Sequence, residues 1–176
     1  MLLFLDVDGT LLPFGATRPY PLYDPPRGLS GPAAHPLLTR IDPALGTRLK
    51  RLAALGCELV WATTWMDVAN AVIAPWLDLA PLPLVDWPDA ADTPSLGHRG
   101  THWKTRPLVD WAGGRPFLWV DDEITAADRT WVAAHHPATA LLHRVDHRHG
   151  LTDRDFTVLE EWISAERPRA TRDAPA

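Results

Sequence analysis

Asp6 and Asp8 stand one residue apart, directly behind the apolar run Leu2-Leu3-Phe4-Leu5 and just before Gly9-Thr10. Four apolar residues bounded by a glycine suit a short buried strand, and the carboxyl ends of such strands are where open α/β sheets bind ligands. An aspartate there can accept a phosphoryl group as a nucleophile, and a second beside it can serve as acid, base or Mg²⁺ neighbour. The competing explanation is an Asx turn in which two solvated aspartates leave a strand. Further along, Thr63-Thr64 follows a second apolar run, Lys104 precedes a third, and Asp121-Asp122 ends it. Lys104 is one of only two lysines beside fifteen arginines, so its presence is not a compositional default.

The elements that must position these residues alternate between two periods. Residues 2–5 predict a strand. Residues 11–41 hold Pro13, Pro19, Pro21, Pro25 and Pro26, which predicts an irregular but stiffened flap leaving the Asp6/Asp8 end. Asp42 and Pro43 resemble an N-cap and first helical residue, Leu45, Leu49 and Leu52 share a face, and Gly56 closes that helix near residue 55. Residues 57–62 predict a second strand, and 65–74 a helix with Val68, Val72 and Trp76 facing the core and Pro75 disturbing its last turn. A short strand over 82–85 and a polar loop over 86–100 follow. Thr101 is placed as the cap of a helix carrying Lys104, Leu108 and Trp111, with Gly113-Gly114 at its end. Residues 116–120 form the next strand, Thr125 with Asp128 a capping box for a helix to about His135, and 139–145 another strand. Thr152 with Asp155 opens the last helix, with Phe156, Leu159 and Ile163 inward, and residues 167–176, with Arg167, Arg169 and Arg172, form a solvated, disordered tail.

Strands alternating with helices predict a mainly parallel sheet covered on both faces, a three-layer Rossmann-like α/β domain spanning residues 1–166. Right-handed crossovers then bring Asp6, Asp8, Thr63, Lys104 and Asp121-Asp122 to one sheet edge. Carboxylates gathered in one small site repel unless a hard cation joins them, and Mg²⁺ binds through a few carboxylates while leaving positions for phosphate oxygens. A lysine and a hydroxyl add the donors that hold a transferring phosphoryl group.

Each of these residues also has a plainer explanation. Thr63 can be only a helix cap, Lys104 a solvated helix residue, and Asp121-Asp122 the start of a helix. His147 and His149 lack the further spacing of a metal site and read as loop residues. Trp65 and Trp103 adjoin site residues and can stack a base or simply pack the core. Most of the nine tryptophans, including Trp61 and Trp119, are expected in the core.

Composition narrows the function classes. With 22 acidic and 17 basic residues the net charge is -5, which disfavours tight nonspecific binding to nucleic acid or anionic membrane as the main activity. No apolar stretch reaches the roughly 20 residues of a membrane span, and residues 1–20 lack a signal-peptide pattern. Cys57 is alone, has no partner for an internal disulfide and reads as a small buried hydrophobe, which fits a reducing cytoplasm.

Taken together, Asp6-Val7-Asp8-Gly9-Thr10 after a strand, Thr63 at a strand end, Lys104 before a strand and the terminal Asp121-Asp122 resemble the four motifs of the haloacid dehalogenase (HAD) superfamily. The phrases Leu-Val-Trp-Ala-Thr, His-Trp-Lys-Thr and Trp-Val-Asp-Asp-Glu are similar to the small HAD domains of bacterial RNA-repair proteins. The resemblance implies a nucleophilic Asp6 forming an aspartyl-phosphate and an Asp8 acting as acid and base. Dehalogenases of the superfamily lack that second Asp, so Asp8 favours phosphate esters. It implies Thr63, with Thr64 as a competitor, and Lys104 on the phosphoryl group, and Gly9 in the substrate-side turn. It implies Mg²⁺ held by Asp6, the backbone carbonyl of Asp8, and Asp122 or Asp121. The spans 8–63 and 63–104 leave room for a flap but not a large cap domain. The expected function is a Mg²⁺-dependent phosphomonoesterase acting on a small phosphorylated metabolite or nucleotide. The alternatives are a 3′-phosphate polynucleotide-end phosphatase and, in another class, a catalytically idle HAD-fold binding module.

Overall fold

The computed structural model describes residues 1–26, 36–87 and 100–172, with side chains described to residue 166 of the last helix. Its centre is β1 (Leu2–Leu5), whose four residues are all buried. Side chains alternate across a strand, so Leu3 and Leu5 enter one hydrophobic cluster and Leu2 and Phe4 another. A strand buried on both sides needs helices on both faces, and the chain supplies them.

The other strands are β2 (Glu58–Trp61), β3 (Phe117–Asp121) and β4 (Ala140–Arg144). They form a parallel sheet in the order β2-β1-β3-β4, with Leu5 level with Trp61 on one side and Val120 on the other. The helices are α1 (Ala44–Ala54), α2 (Ala74–Trp76), α3 (Thr105–Ala112), α4 (Ala126–His135) and α5 (Asp153–Arg172). Leu49 and Leu52 of α1, Trp76 of α2, and Phe156, Leu159 and Ile163 of α5 cover the Leu3/Leu5 face. Leu108 and Ala112 of α3 and Val132 of α4 cover the Leu2/Phe4 face. This is the expected three-layer α/β arrangement. The chain winds one way from β1 to β2 and the other way from β3 to β4, so the topological switch point lies between β1 and β3.

Local chemistry explains where the elements stop. Asp42 accepts the Ala44 amide at 2.8 Å at the mouth of α1, Gly113 leaves α3 in the left-handed conformation at φ 57°, and Thr125 with Asp128 forms a full capping box on α4. The loop after β4 is stitched to the turn after β1: Phe14 N–H donates to His147 C=O at 2.8 Å, and Leu151 N–H to Thr10 C=O at 2.8 Å.

Four expectations change. The helix expected over 65–74 starts later and holds a π-turn, Ala69–Ile73, in which the Ala74 amide bonds to Ala69 C=O. Pro75 removes the next donor of the ladder, and the widened turn precedes it. The extra residue breaks the 3.6-residue stripe, so Val72 and Trp76 are buried while Val68 is exposed. Residues 82–85 make a single bridge, Leu84 to Trp61, because Pro81 and Pro83 cannot donate to a ladder. Thr101 does not cap α3, which begins at Thr105 with Lys104 in the capping position. The α5 backbone continues to Arg172, past the expected start of the tail, while residues 173–176 lie outside those described. The 86–100 loop and the middle of the proline-rich flap also lie largely outside the described residues.

Gly46 sets how closely α1 approaches the α2 end: a Cβ there would overlap the Leu77 carbonyl oxygen. Gly46→Ala is expected to cost about 1–3 kcal/mol of stability through overpacking, read as a lower midpoint in urea unfolding with an unchanged denaturant slope.

Candidate active site

Because Leu5 is level with Val120, the next residues, Asp6 and Asp121, leave their strands side by side at the switch point. Both are buried, and so is Lys104, which reaches in from the α3 N-terminus. The Lys104 ammonium donates to Asp6 Oδ1 at 2.6 Å and to Asp121 Oδ2 at 2.8 Å. Asp121 uses both oxygens within the protein: Oδ2 also accepts the Trp119 indole N–H at 3.2 Å, and Oδ1 accepts the Glu123 amide at 2.9 Å. Asp122 completes the group, its carboxyl lying against Gly9, where a Cβ would overlap it. Gly9 also has φ 74°, so the turn and the close approach both require glycine.

The electrostatics follow from that crowding. Burial pushes the Asp6 carboxyl up to about 8, with the Asp121 charge adding to the rise and Lys104 opposing it. Burial and the charges of Asp121 and Glu123 raise Asp122 as well. Burial disfavours the Lys104 cation, but Asp6 and Asp121 outweigh it and hold the ammonium charged. Three carboxylates against one ammonium leave an excess of two negative charges when all are ionised. Oxygens of Asp6, Asp121 and Asp122 lie within 4.8 Å of one another. Hard oxygen donors with that excess charge fit a divalent cation such as Mg²⁺.

The other expected residues occupy different positions around this group. Asp8 is exposed, and its Oδ2 accepts the Trp65 indole N–H at 2.9 Å. Its side chain lies outside the carboxylate group. Thr63 is buried one turn from the end of β2, and its hydroxyl oxygen accepts the Trp65 amide at 3.3 Å. Thr64 is exposed. His147 stacks on Phe14 with ring centroids 5.0 Å apart, and His149 pairs with Asp146 at 3.3 Å. Among the described residues neither histidine belongs to a metal-binding group. Cys57 is buried, and burial pushes its thiol up to about 11, as suits an inert hydrophobe.

Two supports are not evident in the sequence. Asp128, seen there only as a capping residue, also accepts the His102 amide and the Thr105 hydroxyl on Oδ1, each at 2.6 Å, while Oδ2 takes the Thr125 amide and hydroxyl at 2.7 Å each. It thus ties the segment carrying Lys104 to the start of α4. Asn70 accepts the Trp61 indole N–H and the Leu82 amide and donates to Leu82 C=O, fixing the edge beside β2. Its only signal in the sequence is a lone amide on an otherwise apolar helical stretch.

Residues 2–156 match the family model described as the HAD domain in Swiss Army Knife RNA repair proteins. The chain belongs to this HAD family. Comparison with curated proteins and with solved structures gives no match. In general terms, membership makes the chain a HAD-type hydrolase of the phosphatase kind. The four-stranded parallel sheet with helices on both faces is the core expected of such a domain. No helix among the described residues is long and apolar enough to cross a membrane.

Burial opposes the Asp128 charge, but hydrogen bonds from Thr105, Thr125 and His102 outweigh it and hold its carboxyl below the usual range. A group depressed in the folded state contributes stability that is present above its unfolded value and lost as pH falls through the folded one. Asp128→Asn is expected to cost about 1–3 kcal/mol at neutral pH. It should also flatten the loss of stability below about pH 4, as checked by urea unfolding across a pH series.

Proposed function

We propose that this HAD domain is a Mg²⁺-dependent phosphomonoester hydrolase working through an aspartyl-phosphate on Asp6. The observation that carries the reading is the Lys104 ammonium bridging Asp6 and Asp121 at the switch point, 2.6 and 2.8 Å away. Lys104 fixes the Asp6 carboxylate through Oδ1 and neutralises part of the charge that gathers there. Asp6 attacks phosphorus, forming the P–O bond as the ester P–O bond breaks, and Asp8 gives its proton to the departing oxygen. Asp8 then takes a proton from water, which attacks phosphorus and releases phosphate from Asp6. Thr63 stands at the β2 end as a hydrogen-bonding partner for the phosphoryl oxygens, with Thr64 its neighbouring alternative. Asp6, Asp122 and the Asp8 backbone carbonyl would hold the Mg²⁺, while Asp121 holds Lys104. The bound cation supplies charge neutralisation at the transferring phosphoryl oxygens.

The family match favours a polynucleotide phosphate end over a small phosphorylated metabolite as substrate. The net charge of -5 supports recognition at the end itself rather than along a phosphate backbone. The exposed position of Asp8 supports a site open enough for such an end. The same reading places the domain at work in the reducing cytoplasm, where Cys57 stays a thiol.

Phosphate release from a 3′-phosphorylated oligoribonucleotide and from ribose 5-phosphate tests it. Turnover is expected with Mg²⁺ and none after chelation. Asp6→Asn should lower kcat by at least about a thousandfold, as loss of a nucleophile does. Equal activity in Asp6→Asn sinks the nucleophile assignment, and an inert wild type favours the binding-module reading.

A further inference from the structure

We propose that Trp65 has two roles at this site: its indole N–H orients the Asp8 carboxylate, and its ring is the stacking face for a leaving group that carries a nucleobase. The inference rests on the phosphatase reading above. Trp65 lies in the turn after β2, half-buried, with one side packed on the core. Its Nε1–H donates to Asp8 Oδ2 at 2.9 Å. Trp61 and Trp76, which are fully buried, direct their indole donors into the protein, to Asn70 and to Ile41 C=O. Trp65 instead directs its donor to an exposed carboxylate. Asp8 would otherwise be free to turn in solvent, and a positioning donor fixes the rotamer on which proton transfer depends. The turn that presents the ring includes Met66 at φ 48°, a left-handed conformation that an L residue enters at a cost.

The ring's location identifies what it meets. The leaving oxygen must lie within hydrogen-bond reach of Asp8, so the group behind that oxygen passes beside the indole bonded to the same carboxylate. Two more indoles continue the rim. Trp87 donates to Thr63 C=O at 3.0 Å and meets Trp103 edge-on, with centroids 4.8 Å apart. The Trp103 ring lies 5.7 Å from the Lys104 ammonium. A polyol gains little from such surfaces, whereas a nucleobase gains a stacking partner that tolerates any sequence. A free nucleotide and the last nucleotide of a strand share that chemistry.

The test measures kcat and KM with Mg²⁺ for a nucleoside 3′-monophosphate, a 3′-phosphorylated oligoribonucleotide and ribose 5-phosphate, in wild type, Trp65→Phe and Trp65→Leu. The wild type is expected to favour the nucleoside substrates over ribose 5-phosphate by about tenfold or more in kcat/KM, the scale of one base stacked on an aromatic ring. Trp65→Leu should bring that ratio close to one, mainly through KM. Trp65→Phe keeps a ring but no donor, so it should retain most of the ratio while lowering kcat on all three substrates. A preference confined to the oligonucleotide supports the strand end as the source of the base, and one shared with the mononucleotide supports a free nucleotide. An unchanged ratio in Trp65→Leu overturns the stacking role. Unchanged kcat on ribose 5-phosphate in Trp65→Phe overturns the positioning role, whether or not Trp65→Leu folds. A wild type that hydrolyses none of the three overturns the phosphatase reading and this inference with it, whereas an active wild type with an unchanged ratio overturns this inference alone.

Discussion

Two aspartates leave adjacent parallel strands at the same level, and the fold must reconcile their charges. The parallel register of β1 and β3 makes Asp6 and Asp121 neighbours, and no rotamer change can separate them. One ammonium, from Lys104, is the charge the chain itself supplies between them. Breaking a buried ion pair by removing one partner is far more costly than its net worth suggests, because the remaining charge stays desolvated. The segment that carries Lys104 is accordingly tied down by a second buried carboxylate, Asp128, whose partners are all hydrogen-bond donors. One acid therefore supports the cation that reconciles two others.

The same constraint explains the residues around it. Gly9 gives way so that Asp122 can approach, Trp119 and the Glu123 amide occupy what Lys104 leaves of Asp121, and the strand-terminal turn stays short. A site built this way is strongly preorganised on its protein side and retains excess negative charge, a combination that suits binding a hard cation and a phosphoryl group together.

Much of this was legible in the amino-acid order because the residues concerned act locally or periodically. The Asp6/Asp8 pair, Asp121-Asp122 and the caps at Thr125 and Thr152 are short-range patterns, and the strands were long enough for alternation and apolar runs to expose them. Features that depend on tertiary geometry were less legible. Pro75 was recognised as a disturbance, but a proline does not say whether the helix will kink or widen, and the π-turn that resulted exposed Val68. Asp128 satisfied a capping pattern so completely that its other oxygen, facing His102 and Thr105, had no signature at all. The anchoring of Trp65 on Asp8 joins residues far apart in the chain, and only the fold brings them together.

The stitching of the turn after β1 to the loop after β4 has a consequence for how this protein is made. Asp6 and Asp8 emerge early in synthesis, but Thr10 and Phe14 find their backbone partners only in Leu151 and His147. The four-residue β1 strand can pair with β2 long before then, since their connection is nearer in sequence, yet the turn that follows it lacks its brace until β4 and the segment after it have been added. On a growing chain the acidic pair is thus present but slack, and the geometry that concentrates charge at the sheet edge is completed by some of the last residues to arrive.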